Sequence, residues 1–154
     1  MDQKDWLELR QINKVEFCEV FFNTLTKDTL DILKKFYHHE AVLEDPIGKH
    51  QNLDKITRYY KLMYQNIKMI RFDFEKGISH GNTICLFWEM NFKNSKLKSG
   101  ELVKVKGCSK IVFDPNTQLV MYHRDYFDMG AMVYEHLPIY GYITRKIKKS
   151  FKSD

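Results

Sequence analysis

Between residues 9 and 25, apolar side chains recur at Leu9, Ile12, Val15, Cys18, Phe22 and Leu25. That three-and-four spacing lays one stripe of a helix against a core and predicts a long first helix. Thr26 and Asp28 can cap a second, shorter helix over TLDILKKFY, where Leu30, Leu33 and Phe36 keep the same spacing. AVLEDPIG then reads as a short strand broken by Pro46 and Gly48. Asn52 caps a third helix, LDKITRYYKLMYQ, with Leu53, Ile56, Tyr60 and Met63 on one stripe.

After this helix the period drops to two. MIRFDFEKG alternates Ile70, Phe72 and Phe74 with Arg71, Asp73 and Glu75, the pattern of a half-buried strand that ends at Gly77. NTICLFWEMNFK, ELVKVKGCSKIVF and QLVMYHRDYFD follow as three more strands, separated by the turn-rich NSKLKSG and DPNT. Helices grouped ahead of strands joined by short turns predict an α+β fold, with a mostly antiparallel sheet and helices on one face. The last segment, MGAMVYEHLPIYGYITRKIKKSFKSD, reads as helical to Leu137, broken at Pro138 and resumed over residues 139–151. In the resumed part Ile143, Ile147 and Phe151 fall four apart among Arg and Lys, which makes a basic amphipathic helix.

A chain of 154 residues suits a single domain, here a body over residues 1–128 with residues 129–154 as a helical extension of the same domain. Eleven Phe, nine Tyr and two Trp exceed what a minimal core needs and suggest that the core also encloses an apolar cavity. MDQKDWLELR carries no basic-then-apolar leader, and no run approaches the roughly 20 apolar residues of a membrane span, so the expected location is cytoplasmic. Cys18, Cys85 and Cys108 are odd in number and lack CxxC spacing, which fits reduced thiols. His38, His39, His50, His80, His123 and His136 show neither HxxxH nor HExxH spacing, so no metal is expected. With no Gly-rich phosphate loop and no GxSxG, no cofactor is expected either. The net charge of +5 is concentrated in TRKIKKSFKSD, without a nucleic-acid recognition motif. This basic end, Arg145 to Lys152, has three readings: a solvated helix face, a face packed across a dimer partner, or one lying on anionic lipid. The first two are the commoner cases.

Glu44 and Asp45 follow Ala41, Val42 and Leu43 directly, so carboxylates stand at the end of a run that asks for burial. Asp45 can face an apolar cavity, where destabilisation of its charged form makes it a better base for a proton next to a carbonyl. Alternatively it opens the Asp-Pro turn and accepts local backbone hydrogen bonds. Glu44, one residue earlier, points the other way.

With EDPIG behind two helices, and with HRDYFD on the last strand, the chain resembles the SnoaL-like and ketosteroid isomerase branch of the nuclear transport factor 2-like superfamily. The element order supports the resemblance over roughly residues 8 to 128. It implies a cone-shaped, cystatin-like fold with a pocket for a small hydrophobic ligand between curved sheet and helices, and a homodimer through the open sheet face. The proton-shuttling aspartate of the isomerases falls on Asp45. Their oxyanion donors, a tyrosine and a protonated aspartic acid, fall on Phe21 and Ser109, so both donors are replaced and the steroid isomerase reaction itself is not expected.

Alternation on the last strand puts His123, Asp125 and Phe127 on one face and Tyr122, Arg124 and Tyr126 on the other. The HRDYF match turns the His123 face into the pocket, whereas counting from DPN turns Tyr122 and Arg124 inward. In the first register Asp125 orients His123 or holds it protonated as a general acid or oxyanion donor opposite Asp45. The competing reading is a structural cluster of His123, Arg124 and Asp125 at the mouth of the cone. Tyr60, Trp88, Met90, Phe92 and Phe113 are candidate walls, joined by Phe21, Ser109 and Phe127 as ligand-facing positions, with Tyr37 and Tyr59 outside or at the rim. Two functions fit: a small enzyme of isomerase or cyclase type acting on an apolar carbonyl compound, and a non-catalytic module of the same fold that binds a ligand or a protein.

Overall fold

The computed structural model describes residues 3–97, 100–134 and 138–151. Helix α1 spans Gln3–Ile12 and α2 spans Lys14–Thr24. The single long helix expected over this stretch is therefore two. Asn13 adopts an extended conformation (φ −150°, ψ 99°), and its side chain accepts from the backbone N–H groups of Val15 and Glu16, restarting the helix in a new direction. A 3₁₀ turn at Leu30–Ile32 leads into the one-turn helix α3, Leu33–Phe36. The chain turns extended at Tyr37, earlier than the sequence pattern placed it, and strand β1 runs Tyr37–Glu44.

Strand β2 is Lys49–Gln51, α4 is Leu53–Tyr64, β3 is Ile67–Phe74 and β4 is Ile78–His80. The long strands β5 (Thr83–Asn94), β6 (Leu102–Phe113) and β7 (Val120–Phe127) complete the sheet. Its order is β2-β1-β7-β6-β5-β3, with β4 paired to β5. All pairings are antiparallel except β1 with β7, where Leu43 lies beside His123 and Glu44 beside Arg124. This α+β architecture of helices on a curved sheet is the cone fold the sequence implied.

Aromatic rings from α2 and α3 fill part of the core: Phe21 stacks on Phe36 with ring centroids 3.8 Å apart, and Phe17 stacks on Phe36 at 5.5 Å. Helix α4 is held by Asn52, whose side chain accepts from Lys55 N–H and whose own N–H donates to the Ala41 carbonyl of β1. That cap sets the angle at which α4 lays Tyr59, Tyr60 and Met63 over the sheet.

Beyond β7, Asp128 caps α5 (Met129–Met132) by accepting from Gly130 and Ala131 N–H. The helix stops at Met132 rather than running to Leu137, and residues 135–137, His136 among them, lie outside the described residues. Helix α6 spans Pro138–Ser150. Pro138 therefore begins a helix instead of breaking one, since the first helical position needs no N–H donor. Ile143, Ile147 and Phe151 are 48%, 54% and 84% exposed, so this stripe is not packed into the chain's own core. Lys148 ties α6 back to Asp128 at 2.8 Å, while Lys152 lies outside the described residues. Among the described residues, no helix is long and apolar enough to cross a membrane.

Candidate active site

Between α2, α4 and the sheet lies a cavity of about 260 Å³. Phe22, Met63, Ile70, Phe72, Trp88 and Phe127 give it a mainly apolar wall, interrupted by Asp45, Tyr59, Tyr60, Ser109 and Asp125. Trp88 can stand in this wall because its partner across the β5–β6 pairing is Gly107: a Cβ at that glycine would lie 2.3 Å from the indole ring.

Asp45 satisfies both of its sequence readings at once. Its Oδ1 accepts from the backbone N–H groups of Ile47 (2.7 Å) and Gly48 (2.9 Å), the side-chain turn that Asp-Pro-x-Gly favours. Its Oδ2 accepts a short hydrogen bond from the Tyr59 hydroxyl, and the residue lines the cavity. His50 stacks on Tyr59 at 4.0 Å and holds that ring in place. Burial first, then the bond to Asp45, pushes the Tyr59 hydroxyl far above the ordinary tyrosine range, so it stays a donor. Tyr59 thus belongs to the site and not to the rim.

Strand β7 supplies the second carboxylate. His123, Asp125 and Phe127 face inward, as the HRDYF register has it, while Tyr122 and Arg124 lie on the opposite face with Glu44. The pleat explains this on β7, and because β1 pairs with β7 so that Glu44 lies beside Arg124, Glu44, the last residue of β1, shares the outer face. Asp125 Oδ1 lies 2.8 Å from His123 Nε2 and accepts from Ser109 Oγ at 2.5 Å. Ser109 in turn accepts from Trp88 Nε1 at 2.9 Å. No partner for Asp125 Oδ2 occurs among the described residues.

His123 is placed differently from its expected role opposite Asp45. It is 0% exposed and does not line the cavity, because Asp125 stands in front of it. Its Nδ1 meets the Tyr37 hydroxyl at 2.6 Å, and that hydroxyl lies 3.1 Å from the Tyr60 hydroxyl on the cavity wall. Tyr37, expected outside, is 1% exposed, since the earlier start of β1 turns it into the core. Burial is the main force raising both hydroxyls well above the ordinary tyrosine range, with Tyr60 adding to it at Tyr37 and the charge of Asp125 at Tyr60. Both therefore remain protonated at any physiological pH.

Two expected wall residues fall elsewhere. Phe21 points away from the cavity into the stack with Phe36, and its neighbour Phe22 takes the wall position. Phe113 packs against Phe17 and does not line the cavity. Tyr60, Trp88, Ser109 and Phe127 all line it, as do Met90 and Phe92. Although histidine spacing predicts no metal site, His38, His39 and Glu40 on β1 bring their ligand atoms within 4.8 Å of one another, outside the cavity.

The fold and the cavity define a cone-shaped α+β protein with an apolar pocket and acid groups in its wall. The SnoaL-like domain family matches residues 19–120, and the chain belongs to that family. Among solved structures it is similar to a candidate SnoaL-like polyketide cyclase from Shewanella putrefaciens CN-32, with a TM-score of 0.67 and 17% identity over 79% of this chain and 82% of that one. An NTF2-like protein of unknown function from Burkholderia pseudomallei K96243 gives a TM-score of 0.67 at 14% identity over 80% of this chain and 94% of that one. TerC co-crystallised with polyporic acid gives 0.65 at 12% identity, covering 80% and 95%. At such identities the likeness is one of fold. No curated protein matches the chain.

Proposed function

We propose that the protein binds a small, largely apolar carbonyl compound in this cavity and catalyses an isomerisation or ring closure on it by proton transfer. One observation carries the reading: Asp45 and Asp125 are both set in a wall otherwise made mainly of aromatic and aliphatic side chains. Proton transfer next to a carbonyl needs a carboxylate base and a hydrogen-bond donor for the oxygen that becomes negative. Asp45 and Asp125 are the candidate bases. The protonated hydroxyls of Tyr59 and Tyr60 are the candidate donors, taking the place of those missing at Phe21 and Ser109. Membership in the SnoaL-like family supports the reaction class, and the names of the fold neighbours agree with it.

A ligand-binding module without catalysis is the second reading, and Asp45 itself favours it. Both of its oxygens already accept hydrogen bonds from within the chain, which suits a structural turn as well as a base.

Thermal-shift screening of the wild type, Asp45→Asn and Asp125→Asn against aromatic ketones, polyketide-like phenols, steroids and fatty acids tests both readings. A ligand at about 100 times its dissociation constant adds roughly 2.7 kcal/mol, a clear shift in a domain of this size. Stabilisation by one chemical class, altered in the aspartate variants, is the expected result. Hits recovered chemically unchanged after long incubation with the wild type would leave the binding module standing and remove the enzyme. A protein stabilised by none of the four classes would remove the pocket reading altogether.

A further inference from the structure

Asp125, His123, Tyr37 and Tyr60 form one hydrogen-bond chain that begins and ends on the cavity wall. The links measure 2.8 Å from Asp125 Oδ1 to His123 Nε2, 2.6 Å from His123 Nδ1 to the Tyr37 hydroxyl, and 3.1 Å from that hydroxyl to the Tyr60 hydroxyl. Its two middle members are sealed from water, at 0% and 1% exposure, whereas Asp125 and Tyr60 both line the cavity. Satisfying a buried histidine requires two partners, but it does not require a path that returns to the same cavity.

We propose that this chain is a proton relay through which Asp125 deprotonates a phenolic or enolic hydroxyl bound at Tyr60. The proposal rests on the pocket reading above and adds the ligand's chemistry, a weakly acidic O–H on an apolar frame.

The direction of each bond follows from donor and acceptor inventory. Ionised Asp125 offers only acceptors, so in the neutral imidazole Nε2 carries the hydrogen and Nδ1 accepts from Tyr37. The Tyr37 oxygen then accepts from Tyr60, and Tyr60 turns a lone pair toward the cavity. When a ligand O–H breaks, its electron pair stays on the ligand oxygen and its proton goes to Tyr60. Tyr60 passes its own proton to Tyr37, Tyr37 passes its own to His123 Nδ1, and the proton on Nε2 moves to Asp125 Oδ1. Both tyrosines and the imidazole end with as many hydrogens as they began. Asp125 has become neutral and the ligand has become an oxyanion.

Every bond in the chain now points the opposite way, so Tyr60 donates to the oxyanion it has just helped to form. One negative charge has moved from Asp125 to the ligand, and the total charge of the cavity is unchanged. An apolar wall favours this over ionisation to bulk water, which would add a charge to a poorly solvating site. The product is an enolate or phenolate, the carbon nucleophile that ring closure or reprotonation at carbon requires. Tyr60 is the catalytic residue of the scheme, since it touches the ligand, and His123 and Tyr37 act through it.

The test uses 4-nitrophenol, whose phenolate absorbs at longer wavelength than the phenol, in buffer below the pKa of the free compound, with binding followed by quenching of tryptophan fluorescence. The bound probe is expected to show the phenolate band in the wild type. In Tyr37→Phe and Asp125→Asn, which still bind it, the ratio of phenolate to phenol is expected to fall about tenfold, equivalent to one pKa unit. Should Tyr37→Phe fail to fold, Tyr60→Phe cuts the same chain at its cavity end and carries the same expectation. A bound probe that is only phenol in the wild type, or equally phenolate in the variants, would overturn the relay. A wild type that binds ketones or steroids but no 4-nitrophenol also overturns it, and leaves the pocket reading intact. If no compound of any class binds, both fall together.

Discussion

Strand β7 carries a polar cluster on each face, and similar parts behave differently on the two. On the outer face Tyr122 donates to Glu44 at 2.5 Å, Arg124 donates to the same oxygen at 2.9 Å, and Lys49 lies 3.7 Å from the other. On the inner face Asp125 takes the place of Glu44, with His123, Ser109 and Tyr37 around it. Each cluster has a carboxylate, a tyrosine and a basic side chain. The outer one remains open to solvent, with the Arg124 side chain 40% and Glu44 21% exposed, so its pairing replaces hydrogen bonds that water would supply. The inner one is closed behind Asp125, and His123 and Tyr37 find their partners only within the cluster. A polar side chain on the inner face is therefore hard to remove, whereas one on the outer face is not.

Replacing the centre of the inner cluster breaks the comparison hardest. His123→Ala opens a void behind Asp125 and leaves the Tyr37 hydroxyl with Tyr60 alone, and the expected loss is about 3 kcal/mol. Arg124→Gln on the outer face is expected to leave the urea midpoint almost unmoved. Parallel urea titrations of the two variants decide it, and equal losses would mean that burial does not separate the faces. Next in size stands Gly107→Ala. Its added Cβ would meet Trp88 at 2.3 Å and the Tyr126 carbonyl oxygen at 2.7 Å, and the second of these is backbone that cannot swing aside. A loss of about 1–3 kcal/mol is expected, together with weaker ligand stabilisation in thermal shift because the indole wall is displaced. An alanine tolerated at no cost would show that this wall is softer than the geometry implies. Ser109→Ala should cost about 1 kcal/mol, since it strips the Trp88 N–H of its acceptor while leaving the packing nearly unchanged. Calorimetric melting gives that value directly, and a gain in stability would count against the inner network.

How much of this was legible in the sequence differs between the two faces for the same reason. The strict alternation of YHRDYF separated His123, Asp125 and Phe127 from Tyr122, Arg124 and Tyr126, and the pleat carried the same logic to Glu44 and Asp45. The α4 stripe and the four long strands followed from periodicity of the same kind. Tyr37 was not legible. It stands before the polar run His38-His39-Glu40, which looks unlike a strand, and the register between β1 and β7 shifts between Tyr37 and Val42. Phase also failed on α2, where Phe17, Cys18, Phe21 and Phe22 are all buried, so no single stripe says which ring meets the cavity. Apolar spacing runs unbroken across Asn13, and only its cap geometry shows the division into α1 and α2. Strands β2 and β4 have three residues each, too few for alternation to register.

The smallest expected effect sharpens the contrast through pH. The Tyr122 hydroxyl first, then Arg124 and Lys49, hold the Glu44 carboxyl below the usual glutamate range, against the opposing pull of partial burial. Since the folded value is the lower one, the cluster's contribution to stability is complete above the unfolded glutamate value of about 4.3 and is lost as pH falls through the folded value. Glu44→Gln cannot take part in that titration. Its melting temperature should therefore lie slightly below wild type near neutrality, and the gap should close as the pH is lowered from about 5 to about 3. Added salt should narrow the gap at neutral pH as well, because these charges are open to solvent. Melting curves of both proteins at stepped pH and two salt concentrations measure this. A gap independent of both would mean that Glu44 acts by packing alone, and the outer cluster would then resemble the inner one more closely than its exposure allows.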